Sequence, residues 1–166
     1  MANKLGYDYD NNGNFARQGK VNQELLNILN ENSYYEKEYP KSLGREFFEE
    51  YQHKIIDSSN LPIKYLLATA TEHIAYQIVK ATKTLDTTIM LITGGGAKNN
   101  YLTERIIKMS KHEIIIPDTT IIDYKEALIF AFLGTLKMEG KINVLSSVTG
   151  ASSDSSSGNI CFPKQL

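Results

Sequence analysis

The stretch from Thr88 to Leu102 constrains the fold more than any other part of the chain. It opens with six apolar or β-branched residues, 88–93, which are typical of a buried strand. Three glycines follow: Gly94, Gly95 and Gly96. Asn99 or Asn100 can then cap a helix with periodic apolar residues. Strand, glycine turn and helix predict a phosphate- or nucleotide-binding turn, because glycine lets a ligand approach and the helix start presents free N–H groups.

An ordinary turn between a strand and a helix fits the same residues about equally well, since glycine loops are common. No Lys-Ser or Lys-Thr pair follows at the spacing of a P-loop, and the G-x-G-x-x-G dinucleotide fingerprint is absent. On residue types alone both interpretations stay open.

The flanking segments predict an α/β fold dominated by helices, with a small parallel sheet. The clearest helix runs from Leu61 to Leu85, and a second strand runs from His112 towards Pro117. A strand, a helix and a strand form a parallel unit with a right-handed connection by default. The expected buried stripe of the long helix has helical spacing: Ile63, Leu66, Leu67, Ala70, Ile74, Ile78 and Ala81. His73, at the edge of this stripe, is interpreted as structural.

The last long helix is expected to begin at Asp123 and to be deeply buried, because it is apolar nearly all round. Glu126 lies three residues after Asp123, so it can complete a capping box. It can also be a carboxylate at a helix start that faces a ligand cleft. Spacing alone favours the cap.

The segment from Asp8 to Gly13 imitates the beginning of a calcium-binding loop, with Asp8, Asp10, Asn12 and Gly13 at suitable positions. The twelfth position should be Glu but is Gly19. A solvated turn built on Asp, Asn and Gly is the favoured interpretation, and no metal site is assigned.

Composition excludes several classes of function. A net charge of −1 and a pI of about 6.3 give no electrostatic reason to expect a nucleic-acid partner. The single Cys161 has no internal disulfide partner, and no signal peptide or long apolar run is visible, so a cytoplasmic protein without a membrane partner is expected.

Six short motifs, in order, resemble the C-terminal half of the anhydro-N-acetylmuramic acid kinase family, and the resemblance covers nearly the whole chain. The motifs are Gly6-Tyr-Asp-Tyr-Asp10 with Gly13 and Ala16, Gly19-Lys-Val-Asn22, Lys41-Ser-Leu-Gly-Arg-Glu46, Gly94-Gly-Gly-Ala-Lys-Asn99, Asp123-Tyr-Lys-Glu-Ala127 and Ser147-Val-Thr-Gly-Ala151. The resemblance implies a lobe of the actin-like ATPase, or ribonuclease H-like, superfamily, whose members bind ATP between two lobes.

The resemblance also implies the chemistry: Mg²⁺-ATP phosphorylates 1,6-anhydro-N-acetylmuramic acid with opening of the anhydro ring, in bacterial cell-wall recycling. The glycine run would be the adenosine motif. Its implied nucleotide-binding residues are Gly94, Gly95, Gly96, Ala97 and Asn99. Glu126 would contact the sugar, and the full-length protein would be a homodimer.

The same resemblance leads us to expect that residues 1–166 form a C-terminal lobe whose N-terminal partner lobe and catalytic aspartate lie upstream of Met1. No catalytic residue is therefore assigned in this chain, and the chain alone is expected to be inactive. Leu43 stands where the family usually has Thr, and the Ser-rich loop 152–157 is unusually polar for its position. The whole Ser-rich tail, from Ser146 to Gly158, is expected to be a mobile loop. The alternative is a non-catalytic actin-like or chaperone-like module that binds nucleotide or a partner protein.

Overall fold

A computed structural model describes residues 1–38 and 41–161. Eight α-helices are found in these residues: α1 (Asn14–Arg17), α2 (Gln23–Asn30), α3 (Arg45–Phe47), α4 (His53–Asp57), α5 (Ile63–Thr82), α6 (Asn100–Met109), α7 (Thr119–Met138) and α8 (Ser146–Thr149). A π-helical turn, Phe48–Gln52, joins α3 to α4. Four 3₁₀ turns are also present: Ala2–Leu5, Asn11–Gly13, Ser33–Glu36 and Gly95–Lys98.

Two short strands, β1 (Ile89–Leu91) and β2 (Glu113–Ile115), pair in parallel, which confirms the predicted pairing. Met90 is the register partner of Ile114, and α6 provides the connection between the strands. The prediction of a fully buried strand is wrong for β1, because Ile89 and Leu91 are each 58% exposed. The α/β fold class, rich in helices and with a small parallel sheet, is thus confirmed.

The described chain divides into two compact units, Met1–Ile122 and a second one from Asp123 onward. In the first unit α5 packs against α1, α2 and α6. Its hydrophobic core contains Leu25, Leu29, Ile56 and Leu66. The glycine turn lies in this first unit, so the packing of α5 and α6 determines where the turn is held.

The predicted buried stripe of α5 is only partly correct. Leu66 is buried, but Ile74 is 46% exposed, and the buried face also carries Thr69 and His73. Polar side chains are tolerated there because each makes hydrogen bonds. The Thr69 hydroxyl accepts from the Asn22 N–H at 2.9 Å and donates to the Tyr65 carbonyl oxygen at 2.7 Å.

Helix α7 differs from the prediction in two ways. It begins at Thr119 rather than Asp123, because the Asp118 side chain caps it by accepting from the Ile121 N–H at 3.1 Å. Asp123 and Glu126 are therefore inside the helix, and the capping-box interpretation of Glu126 is wrong. The helix is also not deeply buried: Leu128 and Phe130 are each 69% exposed.

The expectation of a mobile Ser-rich loop is also corrected. The Ser-rich tail, residues 146–158, begins with the short helix α8, and Asp154 accepts from the backbone N–H and the hydroxyl of Ser146 at 2.7 and 2.6 Å. No helix in the described part of the chain has the length and apolar character required to cross a membrane.

Candidate functional site

The glycine turn follows the carboxyl end of β1. The Ile92 N–H still donates to the Ile115 carbonyl oxygen at 2.9 Å, so the ladder continues almost to the turn. Gly94 then adopts φ 81° and ψ 178°, and a 3₁₀ turn of residues 95–98 leads to α6. A ligand-binding position outside the carboxyl end of a parallel strand is common in α/β folds.

The two glycines after Gly94 have no steric reason to be glycine. A Cβ atom built on Gly95 would meet no atom within 4 Å, and one on Gly96 would meet only the Leu102 Cδ2 atom, at 3.9 Å. Both residues are exposed, and φ is positive only at Gly94 among the three. The space above this backbone is therefore open to an approaching ligand, whereas Gly94 is required by the turn itself.

The other two residues of the predicted nucleotide motif, Ala97 and Asn99, have structural roles. Ala97 is 4% exposed, so its methyl group anchors the turn in the first unit. Asn99 is the N-cap of α6, because its side-chain oxygen accepts from the Leu102 N–H at 3.0 Å. Its backbone carbonyl accepts from the Thr103 N–H at 3.0 Å. The predicted cap is confirmed, and it fixes the direction of α6 relative to the turn.

Two paired Arg–Glu contacts hold α6 in place. Arg105 binds Glu72 of α5 through two hydrogen bonds, at 2.6 and 2.7 Å, and the two side chains are 25% and 15% exposed. Arg17 of α1 likewise donates two hydrogen bonds to the Glu104 carboxylate, at 2.6 and 2.7 Å. The hydrogen bond from Arg17 lowers the pKa of Glu104. Neither pair was predicted, because each joins residues far apart in sequence.

The segment that imitates a calcium loop has a different role. The two carboxylate oxygens of Asp10 accept from the backbone N–H groups of Phe15 and Ala16, at 2.8 and 2.9 Å. Asp10 thus closes a turn on its own chain, in agreement with the interpretation as a turn. Among the described residues, no group of three His, Cys, Asp or Glu side chains is arranged to hold a metal ion.

Glu126 lies in the second unit, whereas the glycine turn lies in the first. Its side chain is exposed on α7, about two helical turns after the first residue of the helix. Position and exposure leave the carboxylate accessible for a ligand. The capping role that the sequence favoured is filled by Asp118.

His73 is structural, as interpreted from the sequence. Its Nδ1 donates to the Asn30 side-chain oxygen at 2.7 Å, and its Nε2 accepts from the Tyr35 hydroxyl at 3.0 Å. The Gln52 side-chain amide contacts both Tyr35 and His73. Burial lowers the pKa of His73 to about 4, so the ring is neutral at pH 7. The network joins α2, α5 and the π-helical turn.

A cleft of about 550 Å³ lies at the C-terminal ends of α5 and α6, and none of the predicted site residues lines it. Its histidine, His112, is used by the fold. The ring accepts from the Thr88 N–H at Nδ1 and donates from Nε2 to the Thr82 carbonyl oxygen, at 3.3 and 3.1 Å. The glycine turn therefore remains the better candidate for a functional site.

Comparison with known proteins gives a consistent result. The family model described as anhydro-N-acetylmuramic acid kinase matches residues 1–163. Proteins named anhydro-N-acetylmuramic acid kinase from Sulfurimonas denitrificans and Vibrio vulnificus are each 34% identical, over 167 and 164 residues. These matches cover 93% and 95% of this chain, and 45% and 44% of the respective relatives. A protein of the same name from Clostridioides difficile is 34% identical over 92% of this chain and 42% of its own length. The chain thus spans about half the length of the curated relatives it matches.

Proposed function

Because the chain belongs to the anhydro-N-acetylmuramic acid kinase family, we propose that it provides the ATP-binding turn and a sugar-binding carboxylate of such a kinase. In the reaction the C1–O6 bond of 1,6-anhydro-N-acetylmuramic acid breaks, water adds its oxygen to C1, and the O6 oxygen receives the phosphoryl group from ATP, which leaves as ADP. The observation that carries the proposal is the open space above Gly95 and Gly96, which neither packing nor backbone conformation explains.

The adenosine part of ATP lies against Gly95 and Gly96, where the missing side chains let it reach the backbone. Gly94 provides the sharp turn after β1, and Ala97 anchors the following 3₁₀ turn. Asn99 sets the start of α6 through its cap. Binding in this arrangement depends on shape and on backbone groups more than on charge, which agrees with the lack of any strongly basic composition.

Glu126 accepts a hydrogen bond from a sugar hydroxyl. Its exposure on α7 and the existence of a separate helix cap support this role, because the fold makes no use of its carboxylate as a cap. A charged acceptor gives a stronger hydrogen bond to a hydroxyl than a neutral acceptor does. Glu126 is thus a binding residue that orients the sugar.

The general base is an aspartate outside this chain, and the chain alone does not phosphorylate the sugar. This part of the proposal is supported by the length of the relatives, which are about twice as long as the matched region. Phosphoryl transfer depends on positioning and on stabilisation of charge, so part of a site is insufficient. No residue of this chain is assigned to Mg²⁺. The working enzyme is a cytoplasmic homodimer.

A titration of this chain with ATP, followed by amide NMR, tests the nucleotide site. We expect the amide signals of Gly94, Gly95, Gly96, Ala97 and Asn99 to shift. Gly95→Val should weaken ATP binding without lowering the melting temperature by more than a few degrees, because Gly95 is exposed and a Cβ atom there would meet no protein atom within 4 Å. Gly140→Ala, at a glycine in the second unit, is the control and should bind ATP normally. Absence of ATP-dependent shifts at the turn would refute the proposal.

A further inference from the structure

Gly13, from a distant part of the sequence, packs closely against the start of α6, directly after the glycine turn. Gly13 ends the 3₁₀ turn Asn11–Gly13 and is buried, with φ 71°. A Cβ atom at Gly13 would overlap the Asn99 side-chain oxygen and would come within 2.6 Å of the Tyr101 Cβ atom. The oxygen that blocks this space is the same atom that caps α6.

We propose that Gly13 is a positioning residue for the nucleotide site, acting through the side chain of Asn99. The inference rests on the proposed function for its effect on ATP, and on geometry alone for its effect on the helix cap. The Asn99 side chain lies between the backbone of Gly13 and the Leu102 N–H. The missing side chain at Gly13 therefore leaves the space in which the Asn99 oxygen reaches the Leu102 N–H.

Three contacts keep Gly13 in this place. Asp10 closes the turn that carries it, through the N–H groups of Phe15 and Ala16. Four residues after Gly13, Arg17 binds Glu104 of α6 and lies 5.1 Å from the centre of the Tyr101 ring. The segment from Asp10 to Arg17 thus packs against the first two turns of α6. These contacts reach the residues that directly follow the glycine turn: Asn99, Tyr101 and Glu104.

Gly19 offers a matched control. It lies just beyond the other end of α1, and a Cβ atom there would overlap the Lys64 carbonyl oxygen of α5. Gly19→Ala should therefore disturb packing as Gly13→Ala does, but away from Asn99. Both variants and the wild-type chain are compared at a temperature where circular dichroism shows all three to be folded.

The first measurement is amide hydrogen exchange at Leu102, which needs no nucleotide. Gly13→Ala should speed exchange there by about fivefold, because a cap bond is weakened, and Gly19→Ala should not. The second is the dissociation constant for ATP, which Gly13→Ala should raise by about fivefold or more through misplacement of the turn. In the Asn99→Ala background Gly13→Ala should have a clearly smaller effect, because its overlap with the Asn99 side chain is gone and only its overlap with the Tyr101 Cβ atom remains.

If Gly13→Ala does not fold, Asp10→Asn replaces it, since this change exchanges one acceptor oxygen for an amide nitrogen of similar size, which cannot accept from the backbone N–H. It should change both measurements in the same direction and less strongly. Unchanged Leu102 exchange and ATP affinity in a folded variant would overturn the inference, and so would equal effects in the Asn99→Ala background. If the wild-type chain does not bind ATP but the exchange result holds, the proposed function fails and the positioning of the cap by Gly13 stands.

Discussion

Replacement of Glu126 by glutamine in the full-length enzyme separates a binding role from a structural role. The change keeps the size of the side chain and removes its charge. Glutamic acid and glutamine have similar helix propensities, and exposed substitutions of this kind alter the free energy of unfolding by less than about 0.5 kcal/mol. Because α7 is capped by Asp118 and not by Glu126, we expect the melting temperature to be unchanged.

Sugar binding should respond strongly. The loss of one charged hydrogen bond to a hydroxyl costs about 1.5–3 kcal/mol, which corresponds to roughly a 10- to 100-fold loss of sugar affinity or turnover. The constants for ATP should stay close to those of the wild type, because the glycine turn is not altered. The assay combines steady-state kinetics with varied sugar and varied ATP and a melting curve for the same preparation.

Asp118→Ala is the control with the opposite pattern. It removes the side chain that accepts from the Ile121 N–H, so it should cost about 1 kcal/mol of stability and leave the affinity for sugar unchanged. Normal kinetics for Glu126→Gln would refute the assignment of Glu126 to the sugar site. A lowered melting temperature for Glu126→Gln together with a normal one for Asp118→Ala would refute the structural argument about the cap.

Three further predictions concern the first unit. Burial lowers the pKa of His73 to about 4, below the usual 6.5, so the unfolded chain binds a proton first as the pH falls. Stability should therefore drop by about 2 kcal/mol from pH 7 to pH 5 in urea unfolding, and His73→Leu should flatten this dependence. Arg105→Ala should cost about 2 kcal/mol, because it leaves Glu72 unpaired in a partly buried site; a loss below 0.5 kcal/mol in the same assay would contradict this. Gly94→Ala should cost about 1 kcal/mol because of its positive φ, whereas Gly95→Ala should leave the melting curve unchanged.

Local patterns predicted the region of the candidate site well. The parallel pairing around Met90 and Ile114, the glycine turn and the Asn99 cap are all confirmed. Each depends on residues close together in sequence, with a helix to connect the strands. The short distances along the chain make such features visible in periodicity and in cap residues.

Features that depend on distant partners were not predicted. The buried face of α5 contains His73 because Asn30 and Tyr35 provide its hydrogen bonds, and no sequence pattern shows these partners. The start of α7 was misplaced because Asp118 and Asp123 are both suitable caps by residue type, and only the structure shows which one accepts from a helix N–H. The burial of α7 was overestimated because composition does not show which faces are covered.

A residue that the fold requires carries little information about function, whereas a residue that the fold does not require carries more. Gly94 is required by its backbone conformation and Gly13 by its packing against Asn99. The described structure gives no such reason for glycine at Gly95. It also gives Glu126 no capping role, because Asp118 caps α7. A module that only binds nucleotide would lose ATP affinity in Gly95→Val and would be indifferent to Glu126→Gln. A sugar kinase requires both residues, each for a different substrate. Measuring the two substitutions in one full-length protein therefore distinguishes these functions without any assumption about the catalytic base.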